Sequence, residues 1–213
     1  AQTHDLSSAN SINIGRLLPQ MVYYAHSALT LWRATGKPAN YIIPSGNLGN
    51  AMACIWARAM GLPIGEVVLA TNANRTIPDF LSEGEWRPRQ SIATLASAMD
   101  VGNPSNMERL RALYSFEDIL KQITAISISD EAIKARIKHD VQALRQVWCP
   151  HTATAADVYW NLPVNQQSKH WVLVATAHPA KFNDIVEPLI GHDLPVPQAL
   201  AELLSLPRQE TEI

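Results

Sequence analysis

A glycine- and asparagine-rich turn follows an apolar segment in the first quarter of the chain. Residues 41–44 (Tyr-Ile-Ile-Pro) predict a strand, which runs into a turn containing Gly46, Asn47, Gly49 and Asn50. Glycine lacks a Cβ, so we expect positive φ angles and close approach to a ligand here, while asparagine tolerates left-handed geometry and adds side-chain hydrogen bonds. Because a helix-forming run begins at once, its first amides favour an anion such as phosphate. Two glycines alone are also typical of an ordinary strand–turn–helix connection.

A second candidate anion site lies at residues 105–109 (Ser-Asn-Met-Glu-Arg). Ser105 followed by Glu108 fits a capping box and predicts a helix start. Asn106 and Arg109 could in addition face a ligand, since a helix start combined with a guanidinium suits a dianionic phosphate. Capping is the simpler interpretation of Ser105.

Three further polar positions have two interpretations each. Residues 10–13 (Asn-Ser-Ile-Asn) precede an amphipathic helix and are typical of capping residues. Thr176 follows an apolar strand, and it either caps the next helix or offers its hydroxyl to a ligand. His151 could act as an acid–base group, although a capping or packing role is the simpler prediction.

The elements that must position these residues alternate between strands and helices. Continuous apolar runs predict buried parallel strands, and one alternating run predicts a short strand; they lie near residues 40–43, 67–70, 171–175 and 126–128. Apolar residues at helical spacing predict a helix from Ile14 that Pro19 kinks, and another that Asp130 caps, with its charged residues on a solvated face. We therefore expect an α/β fold, a three-layer sandwich with a mainly parallel sheet and helices on both faces.

Composition narrows the classes of function. The chain has 213 residues, of which 47% are hydrophobic and 17% charged, as is usual for a globular core. A net charge of −2 provides no basic field for nucleic acid or a membrane surface. The apolar runs are too short to span a membrane and no signal peptide opens the chain, so we expect a cytoplasmic protein with loose ends at residues 1–8 and 208–213. Cys54 and Cys149 lie outside any zinc spacing, and we expect two buried, reduced thiols and no metal site.

Five segments of the chain resemble one family, the bacterial threonine synthases, in the same order and at similar spacing. They are residues 10–18 (NSINIGRLL), 44–50 (PSGNLGN), 70–81, 94–109 and 174–182. That family usually has Phe where this chain has Leu48, and it has the opposite charges at Arg75 and Asp79. These two residues are four apart, so we expect a surface ion pair with exchanged charges and not substrate ligands. The resemblance is to the carboxyl-terminal half of the family.

The resemblance implies a fold-type-II architecture like that of tryptophan synthase β, incomplete here, and a pyridoxal 5′-phosphate (PLP) cofactor. The activity that it implies is the conversion of O-phospho-L-homoserine and water to L-threonine and phosphate. It implies that the loop of Gly46, Asn47, Leu48, Gly49 and Asn50 holds the cofactor phosphate. It also implies that the hydroxyl of Thr176 binds the pyridine nitrogen. It places the substrate near Ser11, Asn13, Asn106 and Arg109.

The catalytic amine of the family has no counterpart in this sequence. The family forms its Schiff base through a lysine in a Phe-Lys-Asp context in its amino-terminal part, and no lysine here has that context. Covalent PLP chemistry needs that amine. We therefore expect residues 1–213 to be the carboxyl-terminal part of the enzyme, inactive without the missing amino-terminal half and binding PLP weakly or not at all. The alternatives are another fold-type-II lyase, such as a serine or threonine dehydratase, and a non-catalytic phosphate-binding module.

Overall fold

A four-stranded sheet forms the centre of the protein, and all its strand pairs are parallel, in the order β3-β2-β1-β4. The computed structural model describes residues 10–207, so the expectations for residues 1–8 and 208–213 lie outside the described part. The strands are β1 (Ala39–Pro44), β2 (Ile64–Thr71), β3 (Thr124–Ser127) and β4 (Trp171–Leu173). All four predicted strands are confirmed, and β4 ends earlier than expected.

The two faces of the sheet carry separate hydrophobic cores, because successive strand residues point in opposite directions. Tyr41 and Ile43 of β1 are buried on one side with α1 to α6, whereas Ile42 is buried on the other with α7, α8 and α10. This arrangement is the predicted three-layer sandwich. The helices are α1 (Ile14–Leu17), α2 (Met21–Thr35), α3 (Gly49–Ala59), α4 (Thr76–Glu83), α5 (Met107–Leu113), α6 (Phe116–Gln122), α7 (Asp130–Leu144), α8 (Pro150–Trp160), α9 (Val164–Gln167), α10 (Asn183–Ile190) and α11 (Gln198–Ser205).

The first long helix is interrupted where proline requires it. α1 gives way to a 3-10 turn, Leu18–Gln20, which contains Pro19, and α2 follows directly. Proline has no N–H and cannot continue the α-helical bond pattern. Gly36 then ends α2 in the left-handed conformation, with φ at 68°. The predicted kink is confirmed.

The predicted cap of α7 is wrong by one residue. The side chain of Ser129 accepts the hydrogen bond from the Ala132 amide and is the N-cap. Asp130 is the first helical residue, and its carboxylate accepts from the amide of Leu95. Serine and aspartate are about equally good caps, so their order in the sequence does not decide between them.

The predicted solvated face of α7 is also wrong in part, because Asp140 is completely buried. It accepts hydrogen bonds from Arg136 at 3.2 Å and from Trp148 Nε1 at 2.8 Å, and it pairs with His139 at 2.9 Å. Burial acts to raise the pKa of Asp140, but its hydrogen bonds to His139, Trp148 and Arg136 lower it. Arg136 also reaches Asp157 of α8 at 3.3 Å. This ion network therefore joins α7 to α8.

The last strand occupies an exposed position that its sequence does not predict. Its continuous apolar run is typical of a strand covered on both sides. Among the described residues, however, β4 pairs only with β1, and each residue from Trp171 to Val174 is only half-buried. The prediction of a buried strand is therefore wrong for β4, which leaves an apolar edge open.

Two predictions from composition can be compared with the described chain. Cys54 and Cys149 are both buried free thiols, as expected. No helix within residues 10–207 is long and apolar enough to cross a membrane.

Candidate functional site

The glycine loop (residues 45–48) joins the carboxyl end of β1 to the first residue of α3, Gly49. None of the backbone amides from residue 46 to residue 51 donates a hydrogen bond to another group of the described chain. The first amides of a helix have no intrahelical acceptor, and they carry the positive end of its dipole. The loop and the start of α3 therefore offer a row of unpaired donors to an anion.

The glycines of this loop are required by crowding and not by the positive φ angles that the sequence predicts. Neither Gly46 nor Gly49 has a positive φ, whereas Leu48 does, at 61°. A Cβ on Gly46 would lie 2.6 Å from the Cα of Met99, and one on Gly49 would lie 3.0 Å from the Cβ of Ser11. The prediction of left-handed glycines is wrong. Glycine is needed at these positions because neighbouring parts of the chain pass so close to the loop.

The side chain of Asn47 connects the loop to two other segments. Its Nδ2 donates to Ser11 Oγ at 2.7 Å. Its Oδ1 accepts from both the amide and the hydroxyl of Ser105, at 2.6 and 2.9 Å. The prediction that Ser105 caps α5 is therefore wrong, because its hydroxyl binds Asn47 and the N-cap of α5 is Asn106, which makes no side-chain capping bond.

Asn106 and Arg109 hold the segment that contains Ser11. Asn106 is 1% exposed, and its Nδ2 donates to the carbonyl oxygens of Ser11 and Asn47 at 3.0 and 2.8 Å. Arg109 donates from Nε to Asn106 Oδ1 at 3.0 Å and from Nη2 to the Ile12 carbonyl at 2.5 Å. These two residues fix the position of residues 11 and 12 relative to the glycine loop.

The two remaining candidate asparagines, Asn13 and Asn50, make hydrogen bonds that stabilise the starts of helices. Asn13 caps α1, since its Oδ1 accepts from the amide of Gly15 at 2.9 Å. Asn50 Oδ1 accepts from the hydroxyl of Tyr24 at 2.5 Å, which anchors the first turn of α3 to α2. The capping interpretation is thus confirmed for Asn13.

A cavity of about 390 Å³ brings most of the candidate residues together. Its lining includes seven of the ten predicted site residues, namely Ser11, Gly46, Asn47, Leu48, Gly49, Asn50 and Thr176. Asn13, Asn106 and Arg109 are not in its lining. Two cations on this cavity, Arg16 and Lys181, were not predicted as site residues, and neither was His151 as a lining residue. Arg16 and Lys181 each lie in a segment that resembles the family, which was the available signal.

Thr176 lines the same cavity as the loop that follows β1. It does not cap the next helical turn, because His178 does so through Nδ1. Its amide donates to Thr152 Oγ1 at 3.2 Å, and its hydroxyl lies 3.9 Å from Cys149 Sγ. The capping interpretation of Thr176 is therefore excluded, and its hydroxyl is on the cavity.

Cys149 is the N-cap of α8, and its environment favours the thiolate. Sγ accepts from the Thr152 amide at 3.4 Å and lies 3.2 Å from Thr152 Oγ1. Burial acts to raise the pKa of Cys149, but interactions with His151 and Thr152 outweigh it and lower the pKa to about 7. Cys54 has no such donors, and burial raises its pKa to about 12.

His151 has a packing role and a fixed tautomer. It is 4% exposed, and its Nε2 accepts from the amide of Ala98 at 3.0 Å, so the ring proton is on Nδ1. Its ring packs against Phe182, with 4.8 Å between the ring centroids. No hydrogen bond to Nδ1 occurs within the described chain.

Polar residues after β2 hold a neighbouring loop. Asn72 Nδ2 donates to Thr94 Oγ1 and Asp100 Oδ1, at 2.8 and 2.7 Å, and is completely buried. Arg75 and Asp79 form the predicted ion pair, with 3.1 Å between Nη2 and Oδ1. These residues are structural, as turn and surface-pair chemistry predicts.

The lining of the cavity suits PLP in the kinds of group that it contains. Unpaired backbone amides at a helix start fit a phosphate, and a threonine hydroxyl fits a ring nitrogen. The described residues contain no group of three or more His, Cys, Asp or Glu that could hold a metal ion.

Comparison with known proteins gives one family. The family model described as "Threonine synthase, C-terminal" matches residues 152–213. Threonine synthase of Serratia marcescens is 38% identical over 95% of this chain and 47% of its own length. The chain thus spans about half the length of the curated relatives that it matches.

Solved structures agree with the sequence comparison. The crystal structure of threonine synthase from Escherichia coli superposes with a TM-score of 0.83 at 37% identity, covering 95% of this chain and 47% of that one. The PLP-bound threonine synthase from Brucella melitensis superposes with a TM-score of 0.84 at 29% identity, covering 97% and 49%. A fungal L-serine ammonia-lyase from Rhizomucor miehei, with a TM-score of 0.56 and 13% identity over 78% of this chain and 56% of that one, shares the fold alone.

Proposed function

This chain belongs to the threonine synthase family, and we propose that it forms the carboxyl-terminal part of an enzyme that converts O-phospho-L-homoserine and water to L-threonine and phosphate. The observation that carries the proposal is one cavity that is lined both by the loop with unpaired amides at residues 46–51 and by Thr176. These segments are far apart in sequence, and a shared cofactor gives a reason for them to face each other.

In this proposal PLP is the cofactor, and when bound it supplies the electron sink for bond breaking at the amino-acid substrate. The chain's own residues bind and orient it. The amides of Gly46, Leu48, Gly49 and their neighbours bind the phosphate, supported by the α3 dipole. Thr176 meets the pyridine nitrogen. Arg16 and Lys181 add positive charge at the cavity, where both the cofactor and the substrate carry phosphate.

The substrate is proposed to bind beside Ser11, Asn13, Asn106 and Arg109. Asn106 uses both its Nδ2 and its Oδ1 within the protein, so its part is to hold Ser11 and the glycine loop in place. Arg109 uses Nε and Nη2 on Asn106 and Ile12. The guanidinium has five N–H groups, and those that remain can bind the substrate phosphate.

The catalytic amine is proposed to come from the amino-terminal half of the enzyme, which also completes the sheet. β4 supports this, because its apolar run lies at an open edge. Asn40 donates to the His170 carbonyl and Val174 donates to Ile42, so even-numbered residues of β4 face β1. The backbone groups of Trp171, Leu173 and Ala175 therefore face outward, as the alternation of a parallel ladder requires, and could pair with a further strand.

The test is phosphate release from O-phospho-L-homoserine by this chain joined to the amino-terminal half of a threonine synthase. Arg109→Gln should lower kcat/KM about 100-fold, as expected for losing a charge-assisted bond to phosphate. Arg111→Gln, on the exposed side of the same helix, is the matched control and should leave the rate unchanged. Turnover by the purified chain without the other half would show that the catalytic amine is wrongly assigned.

The same assay separates the alternatives. A serine or threonine dehydratase would release ammonia from its amino acid and would not depend on Arg109. A non-catalytic module would bind a phosphorylated metabolite tightly and gain no activity from the amino-terminal half. The first alternative is disfavoured by the identity to threonine synthases along 95% of the chain.

A further inference from the structure

The first turn of α8 contacts two segments that line the cavity, at Ala98 and at Thr176. On one side, His151 Nε2 accepts from the amide of Ala98 at 3.0 Å. Ala98 and Met99 are the residues against which Gly46 packs, since a Cβ on Gly46 would meet Met99 Cα at 2.6 Å and the Ala98 carbonyl at 3.2 Å. The position of the glycine loop is thus tied to His151.

On the other side, the same turn holds Thr176. Thr152, which is 1% exposed, accepts the Thr176 amide through Oγ1 at 3.2 Å. The preceding backbone anchor on this strand is the bond from Val174 to the Ile42 carbonyl. Beyond it the chain leaves an open sheet edge, and Thr176 is exposed. The Thr152 hydroxyl therefore holds the backbone of this segment against α8, beside the longer contact of 3.9 Å between the Thr176 hydroxyl and Cys149 Sγ.

The hydroxyl of Thr152 is itself oriented by Cys149. Because Thr152 Oγ1 accepts from Thr176, its own proton is available for Cys149 Sγ, which lies 3.2 Å away. Sγ also accepts from the Thr152 amide at 3.4 Å. The titratable neighbour on the same turn is His151, while Arg16 of α1 and Lys181 of the turn Pro179–Phe182 line the cavity. Hydrogen bonds therefore connect Thr176, Thr152 and Cys149 in series.

We propose that the first turn of α8 is a brace that sets the span between the glycine loop and Thr176, with Thr152 as the positioning residue for the Thr176 hydroxyl. The inference rests on the proposed function, because the span matters only if one ligand bridges both ends. His151 and Thr152 are adjacent residues on one rigid turn, and each is almost completely buried. A shift of this turn would therefore move both ends of the site relative to each other.

The first experiment needs no ligand. Hydrogen exchange of the Thr176 amide is measured by NMR in the wild-type chain, in Thr152→Val and in Thr152→Ser. Valine has the shape of threonine without the hydroxyl, so Thr152→Val should speed exchange at Thr176 about 10-fold, the equivalent of one hydrogen bond, while the Val174 amide stays protected. Thr152→Ser should restore slow exchange. Unchanged exchange at Thr176 in Thr152→Val would overturn the brace.

The second experiment asks whether the brace acts on the ring contact. Pyridoxine 5′-phosphate and its analogue with CH in place of the ring nitrogen are titrated against the same variants. The wild-type chain should prefer the nitrogen compound about 5-fold, the worth of one hydrogen bond. Thr152→Val and Thr176→Val should both abolish this preference and leave the Kd of inorganic phosphate unchanged.

The outcomes separate the brace from the proposed function. If neither ester nor phosphate binds even when the chain is joined to the amino-terminal half, the proposed function is wrong, and the exchange experiment still decides whether Thr152 holds Thr176. If the esters bind and Thr152→Val keeps the preference for the ring nitrogen, the cofactor site stands and Thr152 has no positioning role.

Discussion

At the scale of single residues, the sequence predicts which positions of the glycine loop line the cavity better than it predicts their backbone conformation. Gly46 and Asn47 do lie on the cavity. The left-handed residue is Leu48, however, and its side chain is 2% exposed in the core. Leucine gives no local signal for a positive φ, so this feature follows only from the surrounding fold. The close approach of Met99 to Gly46 is likewise a contact between distant segments.

The two thiols give a prediction for stability against pH. The folded-state pKa of Cys149 is about 7, below the unfolded value of about 8.5. Between these values the unfolded chain binds more protons at this thiol, so the free energy of unfolding should rise with pH by about 1–2 kcal/mol. Cys149→Ala should flatten this rise in urea denaturation between pH 6.5 and 8.5.

Cys54 is the internal control for that measurement, because its pKa shifts the opposite way. Its folded-state pKa is raised to about 12, so its contribution should fall as pH rises above the unfolded value. Stability should therefore decline again above about pH 9, and Cys54→Ala should weaken that decline. A profile in which Cys149→Ala keeps the full rise would contradict the assigned environment of Cys149.

At the scale of elements, hydrophobic periodicity predicts the strands and helices, because burial on each face of the sheet follows it directly. Caps are predicted less well. Ser129 and Asp130 are adjacent and nearly equivalent as caps, and Ser105 is drawn away by Asn47, which is 58 residues earlier in the sequence. The buried network at Asp140 is also invisible in the sequence, since its pattern matches that of a solvated face.

The Asp140 network predicts a large effect of a single substitution. Asp140→Ala would leave Trp148 Nε1 without its acceptor and would leave Arg136 only its bond to Asp157, in a largely buried place. It should destabilise the chain by about 2–4 kcal/mol, measured by urea denaturation. Glu131→Ala, at an exposed position on the same helix, should change the free energy of unfolding by less than about 0.5 kcal/mol. Equal effects of the two substitutions would contradict a structural role for the network.

Because the pKa of Asp140 is lowered, its stabilising contribution should be present at neutral pH and lost as pH falls through its folded-state pKa. Asp140→Ala should therefore cost less stability at acid pH than at pH 7. The same cost at both pH values would contradict the depressed pKa.

At the scale of the whole molecule, the sequence predicts that β4 is covered on both sides, whereas the structure leaves its edge open. The run Trp-Val-Leu-Val-Ala fits the middle of a parallel sheet, and the relatives are about twice as long as this chain. The sequence of β4 is thus consistent with the proposed larger protein, in which a further strand would pair with this edge.

This edge predicts where the amino-terminal half binds. Leu173→Pro removes an outward N–H without removing a bond to β1, so it should weaken association with that half at least about 10-fold. The matched control is Ala125→Pro on β3, the opposite edge strand, where the bond from Ile128 to the Thr71 carbonyl shows that even-numbered residues face inward. Association is measured by co-purification and titration. A stronger effect of Ala125→Pro than of Leu173→Pro would show that the amino-terminal half binds at β3 and not at β4.

The most direct test of the central claim is an NMR titration of the isotope-labelled chain with pyridoxine 5′-phosphate, which has no aldehyde to react with lysines. We predict that the amide signals of residues 46–51 and of Thr176 shift together, with one weak Kd. Inorganic phosphate should shift only the first group, and Gly46→Val should abolish both sets of shifts, because its side chain would collide with Met99. Shifts confined to other surfaces, or a response at Thr176 that is independent of residues 46–51, would contradict a single cofactor site.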